Sequence, residues 1–144
     1  MRTTQRKGDR ATTQAIASFT ARGCDVSIPV TESASYDLIV DAAAGLRRVQ
    51  CKFCSGREVD LRNIHSNSSG YVVKRTADGA YDWLYVLCAD DSEYLLKECF
   101  VGRRAVTLGP SYLLGGVAEW SNAPVLKTGV RQPRTAGSNP APSA

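Results

Sequence analysis

The stretch Tyr36-Asp37-Leu38-Ile39-Val40, followed by Leu46-Arg47-Arg48-Val49-Gln50-Cys51-Lys52, decides the fold. Both segments contain apolar runs of strand length, and only residues 41–45, which are small or acidic, separate them. Such a short connection between two apolar runs is typical of a β-hairpin. The sequence therefore predicts two antiparallel strands at the centre of the molecule.

Three polar side chains are expected to meet on this hairpin. Because side chains alternate across a strand, Gln50 and Lys52 share one face. Pairing of the two strands brings Asp37 close to both of them. A carboxylate and an amide oxygen are hard ligands that suit Mg²⁺, and a nearby ammonium can hold a phosphate. The trio suits metal-assisted phosphodiester hydrolysis, although each residue type is also ordinary on an exposed strand.

A helix is predicted before the hairpin, over residues 8–22. Asp9 is a candidate N-cap, and Gly23 follows the last helical position as a stop signal. Residues 24–29 then predict a short strand. The helix is indicated by apolar residues at helical spacing, namely Ala11, Ala15, Ile16 and Phe19.

The order of these motifs resembles the PD-(D/E)XK endonuclease superfamily. The resemblance covers about residues 6–100, from Lys7-Gly8 through the helix and the segment Arg22-Gly23-Cys24-Asp25-Val26-Ser27-Ile28-Pro29 to the two strands. Within the superfamily it is greatest to a small branch that includes a cyanobacterial intron-encoded homing endonuclease. That branch has Gln-x-Lys where most members have Glu-x-Lys, as does Gln50-Cys51-Lys52 here.

The resemblance implies an α/β fold with a mixed β-sheet flanked by helices and a divalent metal cofactor, Mg²⁺, with Mn²⁺ as a substitute. It implies that Asp37 and Gln50 are metal ligands, the amide replacing the usual acid, and that Lys52 is the catalytic lysine. The implied activity is endonucleolytic hydrolysis of DNA, of the homing, phage or mobile-element type.

One member of the expected site is replaced. These nucleases generally supply a glutamate from the first helix, and Thr12 stands where it is expected. A hydroxyl is a poorer Mg²⁺ ligand than a carboxylate, and Asp9, about one helical turn earlier, is the nearest acid that could substitute. The main alternative is therefore a nuclease fold that has lost cleavage and binds DNA. A structural or interaction domain with an incidental Asp/Gln/Lys pattern is a third hypothesis.

Charge indicates where DNA would lie. The chain of 144 residues has a formal net charge of +4, which permits phosphate contacts without requiring them. Arg47, Arg48 and Arg57 cluster around the predicted site and are expected contacts to the backbone of double-stranded DNA. A solvated charged face is the alternative. Small nucleases usually dimerise to cut both strands, so a homo-oligomer is expected.

Composition excludes several other classes. No apolar run is long enough to span a membrane, and the polar, Arg-rich start is unlike a secretory signal, so a cytoplasmic protein is expected. The five cysteines are then expected to be reduced. Cys51 and Cys54 have metal-binding spacing, but no second pair accompanies them, and His65 is the single histidine. Zinc and redox chemistry are therefore not expected.

The middle of the chain predicts further strands. Residues 57–61 are expected to extend the antiparallel ribbon, and residues 63–70, rich in Ser and Asn, to form a loop. Residues 83–88 are an apolar run of strand length, with Trp83 and Val86 expected in the core. Asp90-Asp91-Ser92 predicts a turn into a partner strand and so a second hairpin.

The domain is expected to span residues 1–110, and residues 111–144 to form a disordered tail. From Gly115 the chain resembles the translation of a tRNA gene: Gly137-Ser138-Asn139-Pro140 can be encoded by GGTTCGAATCCC, a T-loop sequence. Read-through into a tRNA gene fits a mobile element, because such elements often lie at tRNA loci. Genomic codons incompatible with a cloverleaf would contradict this hypothesis.

Overall fold

The computed structural model describes residues 3–67 and 70–115. Its elements begin with helix α1 (Thr3–Ala21) and continue with nine strands and a final 3-10 turn. The strands are β1 (Asp25–Ser27), β2 (Leu38–Ala42), β3 (Gly45–Cys54), β4 (Glu58–Asp60), β5 (Asn63–Asn67), β6 (Gly70–Lys74), β7 (Trp83–Cys88), β8 (Glu93–Leu96) and β9 (Ala105–Thr107), and the 3-10 turn is Pro110–Tyr112.

A mixed five-stranded sheet carries the fold, in the order β1-β2-β3-β7-β8. Strands β3 and β7 are parallel, and the other neighbours in this sheet are antiparallel. Strands β4 and β9 form a second sheet, and β5 and β6 form a third. This architecture confirms the predicted α/β fold with a mixed sheet.

The central hairpin forms as predicted. Leu38 is paired with Val49 at one end of the register and Ala42 with Gly45 at the other, so a two-residue turn joins the strands. Gly45 adopts a φ of 119°, which few other residues tolerate, and this lets β3 begin directly after the turn.

Helix α1 covers one face of the sheet because its buried side chains form a single stripe: Ala11, Ala15, Ser18 and Phe19. Gly23, with a φ of 86°, ends the helix as predicted. Its N–H donates to the Thr20 carbonyl, and the Cys24 N–H donates to the Phe19 carbonyl, the pair of bonds that defines a Schellman cap.

The helix begins earlier than the sequence predicts. It starts at Thr3, so Gly8 and the predicted cap Asp9 both lie inside it. One glycine costs a helix only about 1 kcal/mol, and tertiary contacts hold the first turns. Lys7 Nζ lies 5.5 Å from the centre of the Phe53 ring, and Arg10 forms an ion pair with Asp91.

Two apolar clusters lie on opposite faces of the sheet. The helix-side cluster joins α1 to Val49, Cys51, Trp83 and Tyr85. The other cluster contains Leu84, Val86, Val59 and Val106 among its members, so the β4–β9 sheet packs on the face away from the helix. The predicted burial of Trp83 and Val86 is confirmed.

The second hairpin is also confirmed, with β7 antiparallel to β8. Asp91 at its turn has a φ of 70°, a conformation that aspartate tolerates better than most residues. The Asp90 carboxylate accepts the Ser92 N–H at 3.0 Å, a side-chain contact typical of such turns.

Two predictions about the middle of the chain are wrong. Residues 57–61 do not extend the ribbon of β3; the chain turns at Gly56, and β4 pairs with β9 so that Val59 enters the second cluster. Residues 63–70 do not form a plain loop, because β5 pairs with β6 from Asn63↔Lys74 to Asn67↔Gly70. Cross-strand pairing here overrides the turn-like composition of the segment.

The chain past residue 110 still contacts the sheet. Leu113 bridges Tyr94, and the Leu114 N–H donates to the Glu93 carbonyl at 2.8 Å. The remainder of the predicted tail, residues 116–144, lies outside the described residues. In the described part of the chain, no helix has both the length and the apolar character needed to cross a membrane.

Candidate active site

Asp37 lies where β2 separates from β3. Its backbone N–H makes the last ladder bond, to the Val49 carbonyl at 2.8 Å. Its carboxylate Oδ2 then accepts the Cys51 N–H at 2.8 Å and Gln50 Nε2 at 3.1 Å. The carboxylate thus accepts a β3 N–H that a carbonyl of a neighbouring strand would otherwise accept, and this bond fixes the carboxylate beside the sheet.

Gln50 and Lys52 line a single cleft, as their spacing predicts. The cleft lies on the face of β3 away from α1, has a volume of about 170 Å³, and is closed opposite β3 by the segment from the end of β6 to the start of β7. Its lining residues are Ser35, Gln50, Lys52, Leu61, Lys74, Arg75, Thr76, Ala77, Ala80 and Tyr81.

The charged groups at this cleft have pKa values shifted in opposite directions. Burial raises the pKa of Asp37, against the opposing effects of the Cys51 N–H and the Lys52 charge. Burial also lowers the pKa of Lys52, against the attraction of Asp37 and Asp60. Each group is therefore held in surroundings that disfavour its charged form, a pattern that clusters at functional sites.

Thr12 approaches the site from the helix side. Its hydroxyl donates to the Gly8 carbonyl at 3.2 Å. Burial raises the pKa of the Cys51 thiol, and a hydrogen bond with the Thr12 side chain opposes that rise. Because Asp37 binds the Cys51 N–H, the helix position and the carboxylate lie against the same residue of β3. Asp9 instead lies on the exposed side of the helix, beside Arg6 and Arg10.

The donor set at the cleft fits a hard divalent cation. Asp37 offers carboxylate oxygens, and burial disfavours their negative charge, as the raised pKa of Asp37 shows. Gln50 offers an amide oxygen. In the observed rotamer the Gln50 amide nitrogen faces Asp37, so the amide must turn to present its oxygen. Within residues 3–67 and 70–115, no three His, Cys, Asp or Glu side chains converge. Asp37 and Gln50 are the side chains of this candidate site that could hold a divalent metal.

Comparison with known proteins agrees with this geometry. Residues 2–105 match the PD-(D/E)XK endonuclease family. The chain belongs to that family. Among solved structures, the PD-(D/E)XK fold of this chain is similar to that of the bacterial homing endonuclease I-Ssp6803I, with a TM-score of 0.62 and 23% sequence identity. The alignment covers 75% of this chain and 79% of I-Ssp6803I. No curated protein gives a match.

The three arginines predicted to contact DNA occupy different places around this PD-(D/E)XK site. Arg48 shares the face of Gln50, but Asp82 accepts its Nε and Nη2 at 3.2 Å, and the Gly79 carbonyl accepts its Nη1 at 2.6 Å. Arg47 lies on the helix side, with its guanidinium 6.0 Å from the centre of the Trp83 ring. Arg57 is exposed and donates to the Leu108 carbonyl.

The cleft also contains residues that the sequence analysis did not single out. Lys74 is the last residue of β6, Arg75 follows it, and Tyr81 precedes β7. A weak signal existed, because Tyr81-Asp82 before an apolar run repeats the pattern of Tyr36-Asp37. Without the parallel pairing of β3 and β7, that repeat cannot be connected to the first site.

The cysteines have structural surroundings. Cys51, Cys54 and Cys88 are buried, and all five cysteines of the described chain are free thiols. Burial raises the pKa of Cys51 and raises that of Cys88 to about 11, which disfavours the reactive thiolate. These thiols act as small apolar groups in the two clusters.

Proposed function

We propose that this family member is a metal-dependent endonuclease that hydrolyses phosphodiester bonds in double-stranded DNA. The observation that carries the proposal is that Gln50 and Lys52 line one cleft while Asp37 is hydrogen-bonded to Gln50, with the pKa of the acid raised and that of the lysine lowered. The structural similarity to I-Ssp6803I supports a homing or mobile-element role.

The residues divide the chemistry as follows. Asp37 and Gln50 would hold Mg²⁺, which supplies Lewis-acid stabilisation of the phosphate when bound. Water adds to phosphorus and releases a proton to solvent, one P–O ester bond breaks, and the departing oxygen takes a proton from solvent. Lys52 donates to a non-bridging phosphate oxygen and stabilises the negative charge that grows there. Partial burial strengthens this interaction because little water screens it.

A second candidate function is DNA binding without cleavage, and one observation favours it. Residue 12 is a threonine, and its hydroxyl donates to the Gly8 carbonyl of the same helix. The helix therefore contributes no carboxylate at position 12, and Asp37 is the only acid among Asp37, Gln50 and Lys52. A metal held by one carboxylate and one amide binds more weakly than one held by two carboxylates, so cleavage would require higher metal concentrations.

Nicking of supercoiled plasmid, with Mg²⁺ or Mn²⁺ against a chelator, tests the proposal. We expect metal-dependent nicking, reduced by about 10²–10³-fold in Lys52→Ala, the typical effect of removing one group that stabilises transition-state charge. Lys97→Ala is the matched control, because it removes one lysine from the helix-side face beside Trp83. Its nicking rate should equal that of the parent protein.

The outcomes separate the two candidates. Binding of plasmid without nicking at any metal concentration, by protein with intact circular dichroism, would support the binding module. Equal nicking by the parent protein and Lys52→Ala would contradict the assignment of the site. We further propose that a homo-oligomer cuts both strands, since within residues 3–67 and 70–115 only one cleft is lined by Gln50 and Lys52.

A further inference from the structure

We propose that Tyr81, together with Lys74 and Arg75, forms the wall of the cleft that binds the DNA phosphates next to the scissile bond. This inference rests on the proposed function and adds substrate-binding residues to it. The three residues line the same cleft as Gln50 and Lys52.

The Tyr81 hydroxyl is the first observation. Tyr81 is 4% exposed, and its hydroxyl makes no hydrogen bond of normal geometry with any described residue. Burial raises the pKa of Tyr81, although the Phe100 backbone and the Thr76 hydroxyl are close enough to oppose that shift. A buried hydroxyl without a well-formed hydrogen bond is costly and rare in folded proteins. A donor retained in this state beside a cationic cleft is suited to a phosphate oxygen.

The second observation is the charge and exposure of the β6 end. Lys74 and Arg75 are both exposed although consecutive side chains of a strand point to opposite sides. Val72 and Val73 before them are exposed as well, at 38% and 53%. Both faces of this part of β6 are therefore partly open to solvent, and the exposed side chains of Lys74 and Arg75 also line the cleft.

The third observation is how the wall is fixed in place. Arg75 Nη1 donates to the Gly102 carbonyl at 3.2 Å, and the Gly102 N–H donates to the Thr76 carbonyl at 2.8 Å. Asp82, the residue after Tyr81, donates its N–H to the Arg48 carbonyl of β3. The wall is thus attached at both ends, which restricts its motion and reduces the entropy cost of binding a phosphate.

Two tyrosines provide a matched pair of variants. Tyr85 is also buried, but its hydroxyl donates to Glu93 at 2.7 Å on the helix side. Tyr81→Phe should raise the melting temperature, because it removes an unpartnered group, and should raise the KM for DNA by about tenfold. Tyr85→Phe should lower the melting temperature and leave the KM unchanged.

Lys74→Ala and Arg75→Ala test the charges. Binding of a labelled DNA duplex, measured without metal across a salt series, should weaken, and the slope of log K against log salt should fall by about one for each variant. Lys97→Ala should retain the parent slope. These binding measurements need no cleavage, so they remain informative if the protein proves to be a binding module.

The inference and the proposed function fail differently. If the parent protein nicks plasmid and Lys52→Ala does not, while all three wall variants keep the parent KM and salt slope, the wall assignment is overturned and the nuclease assignment stands. If the parent protein neither binds nor nicks DNA, both are overturned. A rise in melting temperature for Tyr81→Phe with an unchanged KM assigns Tyr81 to the core alone and overturns its substrate role.

Discussion

Asp37 and Asp82 occupy matching positions on opposite sides of β3. Each follows a tyrosine, each precedes a strand that pairs with β3, and each donates its backbone N–H to a β3 carbonyl. Each carboxylate also accepts a β3 backbone N–H at 2.8 Å, from Cys51 for Asp37 and from Arg48 for Asp82. The same pattern of backbone hydrogen bonds therefore holds both aspartates against β3.

The two carboxylates differ in their charge partners. Hydrogen bonds from Arg48 lower the pKa of Asp82, so its charge is compensated within the protein. Burial raises the pKa of Asp37, whose side-chain partner is the neutral amide of Gln50. The same backbone arrangement thus accompanies a compensated charge at Asp82 and, as we propose, a charge available to an external cation at Asp37. The surroundings of an acid, more than its position in a motif, separate the two roles.

The largest expected effect comes from neutralising each acid in turn. Asp37→Asn should reduce metal-dependent plasmid nicking by at least about 10²–10³-fold, because the main metal ligand is lost. Asp82→Asn should retain nicking within a few-fold when assayed well below its melting temperature. Equal losses in both variants would show that the two acids do not differ in role.

Adding an acid to the helix should sharpen the difference. Thr12→Glu places a second carboxylate beside Cys51, the residue whose N–H is bound to Asp37. We expect the metal concentration for half-maximal nicking to fall by about tenfold, as more ligand charge raises affinity for a hard cation. Thr13→Glu, one position along on the exposed side, is the control. An unchanged metal requirement in Thr12→Glu would show that the helix lies too far from the metal.

The smallest effects are on folding stability, and they have opposite signs. Asp37 keeps its proton longer in the folded chain than its ordinary value of 3.8 allows, so its contribution to stability falls as pH rises from about 3.8 through its raised pKa. Asp37→Asn should therefore stabilise the protein at pH 7. Asp82, with a lowered pKa, stabilises the fold above about 3.8 and loses that contribution as pH falls.

Urea unfolding of both variants at pH 7 and at about pH 3 measures this. Asp82→Asn should lose about 1 kcal/mol at pH 7, a modest value because solvent screens the half-exposed pair with Arg48. The differences from the parent protein should shrink at the lower pH, where the parent acids bind protons. A loss of stability in Asp37→Asn at pH 7 would contradict the view that its charge is undercompensated.

The sequence was sufficient for the local half of the site. Asp37, Gln50 and Lys52 lie on a hairpin whose turn length and alternating pattern fix the register, so their proximity follows from the chain itself. Helix α1 and the β7–β8 hairpin were predictable for the same reason. The start of the helix was missed because contacts of Lys7 and Arg10 with remote residues extend it.

The remote half of the site was not predictable from local pattern. Tyr81 reaches the cleft because β7, which begins two residues later, pairs in parallel with β3, an association that no turn signal predicts. The same pairing places Asp82 beside Arg48, so the Arg48 guanidinium is hydrogen-bonded to a carboxylate of the protein. Charge clustering along the sequence therefore did not show that Arg48 is paired with a carboxylate within the protein. It also did not single out Lys74 and Arg75 at the end of β6.

The parallel pairing of β3 with β7 also sets an order of assembly. Asp37 and Gln50 are 13 residues apart in the chain, whereas Arg48 and Asp82, which clamp the far wall, are 34 apart. Short-range contacts form sooner during folding because less chain entropy is lost in closing them. A growing or partly folded chain would thus hold its acid and amide before it has a wall to grip a phosphate. The phosphate-binding wall that we propose would then be complete only once β7 has paired with β3.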